Sequence, residues 1–191
     1  MKTPLRFQIT EYDCGSISLI NCITKLFERN EIPVELIKSI NTYTLDCYDQ
    51  NGELGKRGTS REAVKFLSRW ICDYANNHSF GLKLKYLSGS EVTLEAIEKC
   101  IRAGGVVNFR TYQQGEHYVT ITAIDDENVY IFDPYYLPPN SYKNTKNIEI
   151  IFDKPFDYNR KVKKQHFIKN TKTEFSLGPT EKREAVLFNR V

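Results

Sequence analysis

An α+β fold, helices first and a mostly antiparallel sheet after them, is predicted by three features of the sequence. Apolar residues recur at helical spacing up to about residue 102 and alternate with polar ones from about residue 105 onward. The change falls at Gly104-Gly105, a pair suited to closing a helix. Tyr (12) and Phe (11) are plentiful while Met and Trp occur once each, which suits strands better than a helical bundle. The 191 residues fit a single domain. A chain of that length buries roughly 70% of its unfolded surface and needs no covalent staple.

Residues 5–9 read as extended. Asp13 stands where it can cap a helix running from Cys14 to about Glu28, with Ile17, Ile20, Ile23 and Phe27 on one face. A short second helix is expected to start at Pro33, where a missing N–H costs nothing. Gly52, Gly55 and Gly58 among polar residues mark 44–58 as a long loop. Thr59-Ser60-Arg61-Glu62 has the form of a capping box. The helix behind it turns Ala63, Phe66, Leu67, Trp70, Ile71 and Tyr74 toward the core.

Leu82, Leu84 and Tyr86 alternate with lysines as in a strand, and Leu94, Ile97 and Ile101 mark one more helix. Strands are expected at 105–110, 117–124 and 129–133, then at 147–152 and 184–189. Tyr135-Tyr136-Leu137-Pro138-Pro139 reads as a rigid loop. The basic run over 160–172, beginning at Arg160, reads as a solvated loop or strand edge. A formal charge of only +3 gives no reason to expect a nucleic-acid partner.

Cysteines stand at 14, 22, 47, 72 and 100, an odd number without a C-x-x-C or a zinc-type spacing. Neither a disulfide framework nor a metal site is expected, and a reducing compartment fits better. Met1 to Phe7 holds no apolar core of a signal peptide, and no apolar run approaches the ~20 residues of a membrane span. The expectation is a soluble, cytoplasmic protein.

Two segments carry chemistry. In Gln8-Ile9-Thr10-Glu11-Tyr12-Asp13-Cys14-Gly15, Cys14 opens a helix. Unpaired N–H groups and the positive dipole end there favour a thiolate, the form of cysteine that attacks. Gly15 lets a substrate carbonyl approach the backbone, and the Gln8 amide can join the Cys14 N–H in donating to an oxyanion. A cysteine in a first helical turn is also, more commonly, a small buried hydrophobe, the reading given to Cys22, Cys72 and Cys100.

In the second segment, His117 opens one strand and Asp133 closes the next, across the turn Asp125-Asp126-Glu127-Asn128. A carboxylate on one imidazole nitrogen fixes the tautomer and leaves the other nitrogen for a thiol. Register imposes a condition. A symmetric turn pairing Ile124 with Val129 puts His117 and Asp133 on opposite faces. They share a face only with a three-residue loop or a bulge, unless Asp133 already lies in the irregular segment before Pro134. His78 and His166 have no such partners and receive no catalytic role.

With Gln8, Cys14-Gly15, His117-Tyr118-Val119 and Asp133-Pro134 in this order, residues 5–137 resemble the C39 family of cysteine peptidases, the bacteriocin-processing group within the papain-like fold. The resemblance implies a papain-like domain over 1–191, with a nucleophile helix packed on the sheet and 138–191 as an extension on the same domain. It implies Cys14 as nucleophile, His117 as general base and then acid, Asp133 as orienting residue and Gln8 as oxyanion donor. A peptide or acyl substrate would pass through a thioester, with no cofactor or metal. Well-known members cut leader peptides after a double glycine within a peptide exporter. No membrane or ATPase segment accompanies the motif here, so that substrate is not carried over. Transfer of the acyl group to an acceptor other than water, and peptide binding by an inactive site, are the alternative functions.

Overall fold

The computed structural model describes residues 1–139, 141–142 and 146–191. Helix α1 spans Cys14–Leu26, α2 Val34–Tyr43, α3 Arg61–Asn77 and α4 Leu94–Arg102, with a single turn, α5, at Lys164–Phe167. The strands are β1 Leu82–Ser88, β2 Val106–Tyr112, β3 Glu116–Ile124, β4 Asn128–Phe132, β5 Ile148–Ile150, β6 Arg160–Lys163 and β7 Glu184–Arg190. They form one seven-stranded sheet in the order β1-β7-β2-β3-β4-β6-β5. Neighbouring strands pair antiparallel.

The sheet is covered on both faces. Helices α1, α2 and α3 bury Leu19, Ile23, Leu36, Ile40, Val64 and Leu67 against Leu82, Val106, Val186 and Phe188. On the other face α4 and α5 bury Ile97 and Phe167 with Phe109, Val119, Ile121, Ile131 and Val162. Strands enclosed this way need apolar residues on both sides, which the buried run of β3 supplies. Among the described residues no helix is long and apolar enough to cross a membrane.

The segment from residue 138 onward supplies three of the seven strands, and β7 lies between β1 and β2 inside the sheet. Residues 140 and 143–145 of this segment lie outside the described residues.

The β3–β4 hairpin meets the register condition. Ile124 pairs with Val129 and Ala123 with Tyr130, but Ile121 pairs with Ile131 and Thr120 with Phe132. Thr122 is therefore an extra residue on β3, a bulge that reverses the parity of everything beyond it. Carried one step past the end of β4, the register sets Asp133 across from Val119, on the face that His117 shares.

Several local expectations require correction. Asp13 precedes α1 but its side chain makes no cap bond. Its carboxylate instead accepts from the Ile9 and Thr10 amides and the Thr10 hydroxyl, at 3.1, 2.9 and 2.7 Å. Ser60, not Thr59, caps α3, accepting from the Ala63 amide at 3.0 Å. The Thr59 hydroxyl is occupied by the Leu45 amide. Phe66 is 46% exposed and packs on Tyr43 at the surface, while Val64 takes the core position. Residues 5–9 form no strand, and α1 ends at Leu26 rather than Glu28.

The largest correction concerns the basic run: its first four residues are β6, an inner strand between β4 and β5, and Arg160 is 1% exposed. Arg160 and Val162 point inward while Lys161 and Lys163 remain at the surface. That alternation is invisible in the sequence because the inward position carries a cation.

Candidate active site

Four segments converge at the start of α1. Cys14 is the first helical residue, so its amide has no intrahelical acceptor and faces outward with the helix dipole. Gly15 follows because nothing larger fits: a Cβ there would stand 2.7 Å from Thr59 Cβ and Oγ1. The loop over 44–58 returns beside this helix end, with Gly52, Gly55 and Gly58 all at positive φ.

His117 enters from β3 and is buried. Its Nε2 lies 2.7 Å from Asp133 Oδ1, which leaves Nδ1 as the ring nitrogen for Cys14, and both residues line the same cavity. Burial pushes the Cys14 thiol up. The His117 hydrogen bond, the imidazolium charge and the Tyr118 amide outweigh it and hold the thiol below its ordinary value. Burial likewise disfavours charge on His117, yet Asp133 on one side and Cys14 on the other raise it. The two shifts favour a thiolate beside an imidazolium.

Three other cysteines differ. Burial raises Cys100 to about 11, pushes Cys22 well above the thiol range and lifts Cys47 as well. All five cysteines are free.

Asp133 is fully buried, and every polar group it has is engaged. Oδ1 accepts from the Tyr135 amide at 2.9 Å as well as meeting His117. Oδ2 accepts from Arg160 Nη2 at 2.9 Å. Its backbone N–H donates to Asn159 Oδ1 and its carbonyl accepts from Asn159 Nδ2, both at 2.7 Å. Asn159 and Arg160 were not among the residues the sequence singled out. An Asn and an Arg in a polar stretch give no sign of burial until β6 is seen to pair with β4.

Gln8 is tied to the same corner, its amide N–H donating to the Pro134 carbonyl at 2.9 Å. Its side-chain Nε2 is turned to the Thr10 carbonyl at 2.7 Å, and Oε1 is buried with no partner among the described residues. Reaching an oxyanion beside Cys14 requires that local bond to be exchanged. Tyr135, read as part of a rigid loop, lines the site and reaches Glu11 through its hydroxyl at 3.0 Å.

Two cavities, of about 420 and 590 Å³, meet at the sulfur, and Cys14, Arg57, Gly58 and Glu116 line both. Together they make a cleft running past the thiol, bordered by the 44–58 loop on one side and the β2–β3 turn on the other. A cavity of about 610 Å³ between β1, β7 and α4 contains none of these groups.

No family model matches the sequence, and no curated protein matches it. Among solved structures, the chain is similar to a protein described as a C39-like peptidase from Bacillus anthracis. The identity is 17% over 98% of this chain and 94% of that one, with a TM-score of 0.52. A double glycine motif protease from an AMS/PCAT transporter, solved in complex with the leader peptide, aligns at 13% identity over 98% and 91%, with a TM-score of 0.44. The likeness to the Bacillus anthracis protein is one of fold: mixed helices and antiparallel sheet in a C39-like arrangement.

Proposed function

We propose that this chain is a papain-like, C39-like cysteine peptidase, built as one domain, which cleaves peptide bonds through a thioester on Cys14. The observation that carries the reading is the series Cys14–His117–Asp133, in which a thiol with a lowered pKa neighbours an imidazole held 2.7 Å from a buried carboxylate. A C39-like fold around that series is consistent with it.

The thiolate attacks the scissile carbonyl, forming an S–C bond and placing negative charge on oxygen. The Cys14 amide and the Gln8 side chain donate to that oxyanion. His117, as imidazolium, gives its proton to the departing amine, so the C–N bond breaks and a thioester remains. Water then loses a proton to His117 and adds to the thioester. Collapse of the second tetrahedral intermediate releases the acid and returns the thiolate–imidazolium pair. Asp133 keeps the imidazole aligned throughout and stabilises its charge.

The test is mass analysis of the intact protein with activated acyl esters and peptides. A covalent adduct of acyl mass on Cys14 is expected, discharged by water and absent in Cys14→Ala. Discharge to an added amine in preference to water would redirect the reading to acyl transfer. Absence of any adduct on Cys14 across a broad ester panel rejects it.

A further inference from the structure

We infer that Arg160 is a positioning residue of this site, holding the Asp133 carboxylate in the orientation that His117 requires. The inference rests on the reading of Cys14, His117 and Asp133 given above. Arg160 enters from β6, a strand outside the motifs that mark the site, and is the member of its basic run turned into the interior at the start of that strand.

Its contacts divide the carboxylate in two. Nη2 donates to Asp133 Oδ2 and to the Tyr135 carbonyl, both at 2.9 Å, and Nη1 to the Asn159 carbonyl at 3.0 Å. With Oδ2 held, Oδ1 alone is presented to His117 Nε2 and the Tyr135 amide. Asn159, the preceding residue, grips both backbone groups of Asp133. The carboxylate has no rotation left that keeps these bonds.

Charge gives the second part. Cys14, His117, Asp133 and Arg160 form a buried series of alternating sign. Without the guanidinium, Oδ2 of this buried carboxylate has no hydrogen-bond partner left among the described residues, while Oδ1 keeps His117 and the Tyr135 amide. A carboxylate free to turn its unpaired oxygen elsewhere withdraws support from the imidazolium, and the thiol loses its counter-ion. Among the described residues, the groups facing this pair are Cys14 from α1, His117 from β3, and Tyr135 and Tyr142 after β4, with Glu174 beyond Tyr142. Burial keeps the Tyr142 hydroxyl neutral, and among the described residues Asp133 is the carboxylate that pairs with Arg160. Stability alone does not call for this residue, since an apolar side chain at an inward strand position holds a core as well as a buried ion pair does.

The experiment is the pH profile of iodoacetamide labelling at Cys14, resolved by peptide mass, in wild type, Arg160→Met and Arg160→Lys. Arg160→Met is expected to raise the apparent pKa of Cys14 by about one unit or more, cutting labelling near neutral pH about tenfold. Arg160→Lys keeps the charge without the fork and recovers part of the loss. In an Asp133→Asn background, Arg160→Met adds no further shift. A folded Arg160→Met protein with the wild-type profile overturns the inference, even if it melts earlier, because a merely structural arginine changes stability and not the thiol pKa. Should Arg160→Met fail to fold, an Arg160→Lys profile matching wild type overturns it equally. An ordinary thiol pKa for Cys14 in wild type rejects the site reading itself, and that result is seen before Arg160 is touched.

Discussion

Gln8 and His117 have different proposed roles toward Cys14, and the difference can be measured. In the proposed mechanism His117 acts on the thiol before substrate arrives, whereas a Gln8 amide turned to Thr10 has work to do only once an oxyanion exists. Gln8→Ala should therefore leave Cys14 alkylation within about twofold of wild type while lowering kcat on a peptide substrate roughly 10²-fold. An unchanged kcat removes Gln8 from the machinery. Chain order and residue type made Gln8, Cys14, His117 and Asp133 legible in the sequence as candidates, and the structure brings His117 and Asp133 into contact. Asn159 and Arg160 were not, because a cation in a basic run reads the same whether it is solvated or buried against a carboxylate. Register was half legible: the need for a bulge or an irregular end followed from parity alone, but not that Thr122 would be the extra residue.

Strand β7 carries a second buried carboxylate near the cleft. Glu184 is fully buried at its first residue, accepts from the Tyr118 hydroxyl at 3.0 Å and pairs with Arg61 Nε of α3 at 3.3 Å. Burial raises its carboxyl to about 7, against the pull of Tyr118, Arg110 and Arg61. A raised folded-state value means that the folded protein retains a proton which the unfolded chain gives up near pH 4.5. Stability is thus fully present below about pH 4.5 and declines as pH rises through about 7, by on the order of 3 kcal/mol. Denaturant unfolding from pH 4.5 to 8 should show that decline, and Glu184→Gln should flatten it. A wild-type curve rising over this interval contradicts the assignment. The helices were readable from their periodicity and breaks, with caps displaced by a residue where Thr59 had another partner. Strand β6 was missed because four residues with one apolar side chain carry no period-2 signal.

Across the molecule, the cleft lies where α1, the 44–58 loop and the β2–β3 turn come together, and the sheet fixes their distances. Three of its strands come from beyond residue 138, the part of the sequence with the weakest pattern, and one of them, β6, delivers Arg160 to Asp133. A fold read from motifs over 5–137 is therefore completed by strands that those motifs do not contain. In the proposed reading this geometry serves one thiol, Cys14, which has the His117 imidazole as its neighbour. Site-resolved iodoacetamide labelling of the native protein near neutral pH measures that distinction. Cys14 should react well ahead of Cys22, Cys47, Cys72 and Cys100, and His117→Ala should slow Cys14 at least tenfold while leaving the others unchanged. Equal labelling of all five cysteines, or a Cys14 rate indifferent to His117, contradicts the proposed nucleophile.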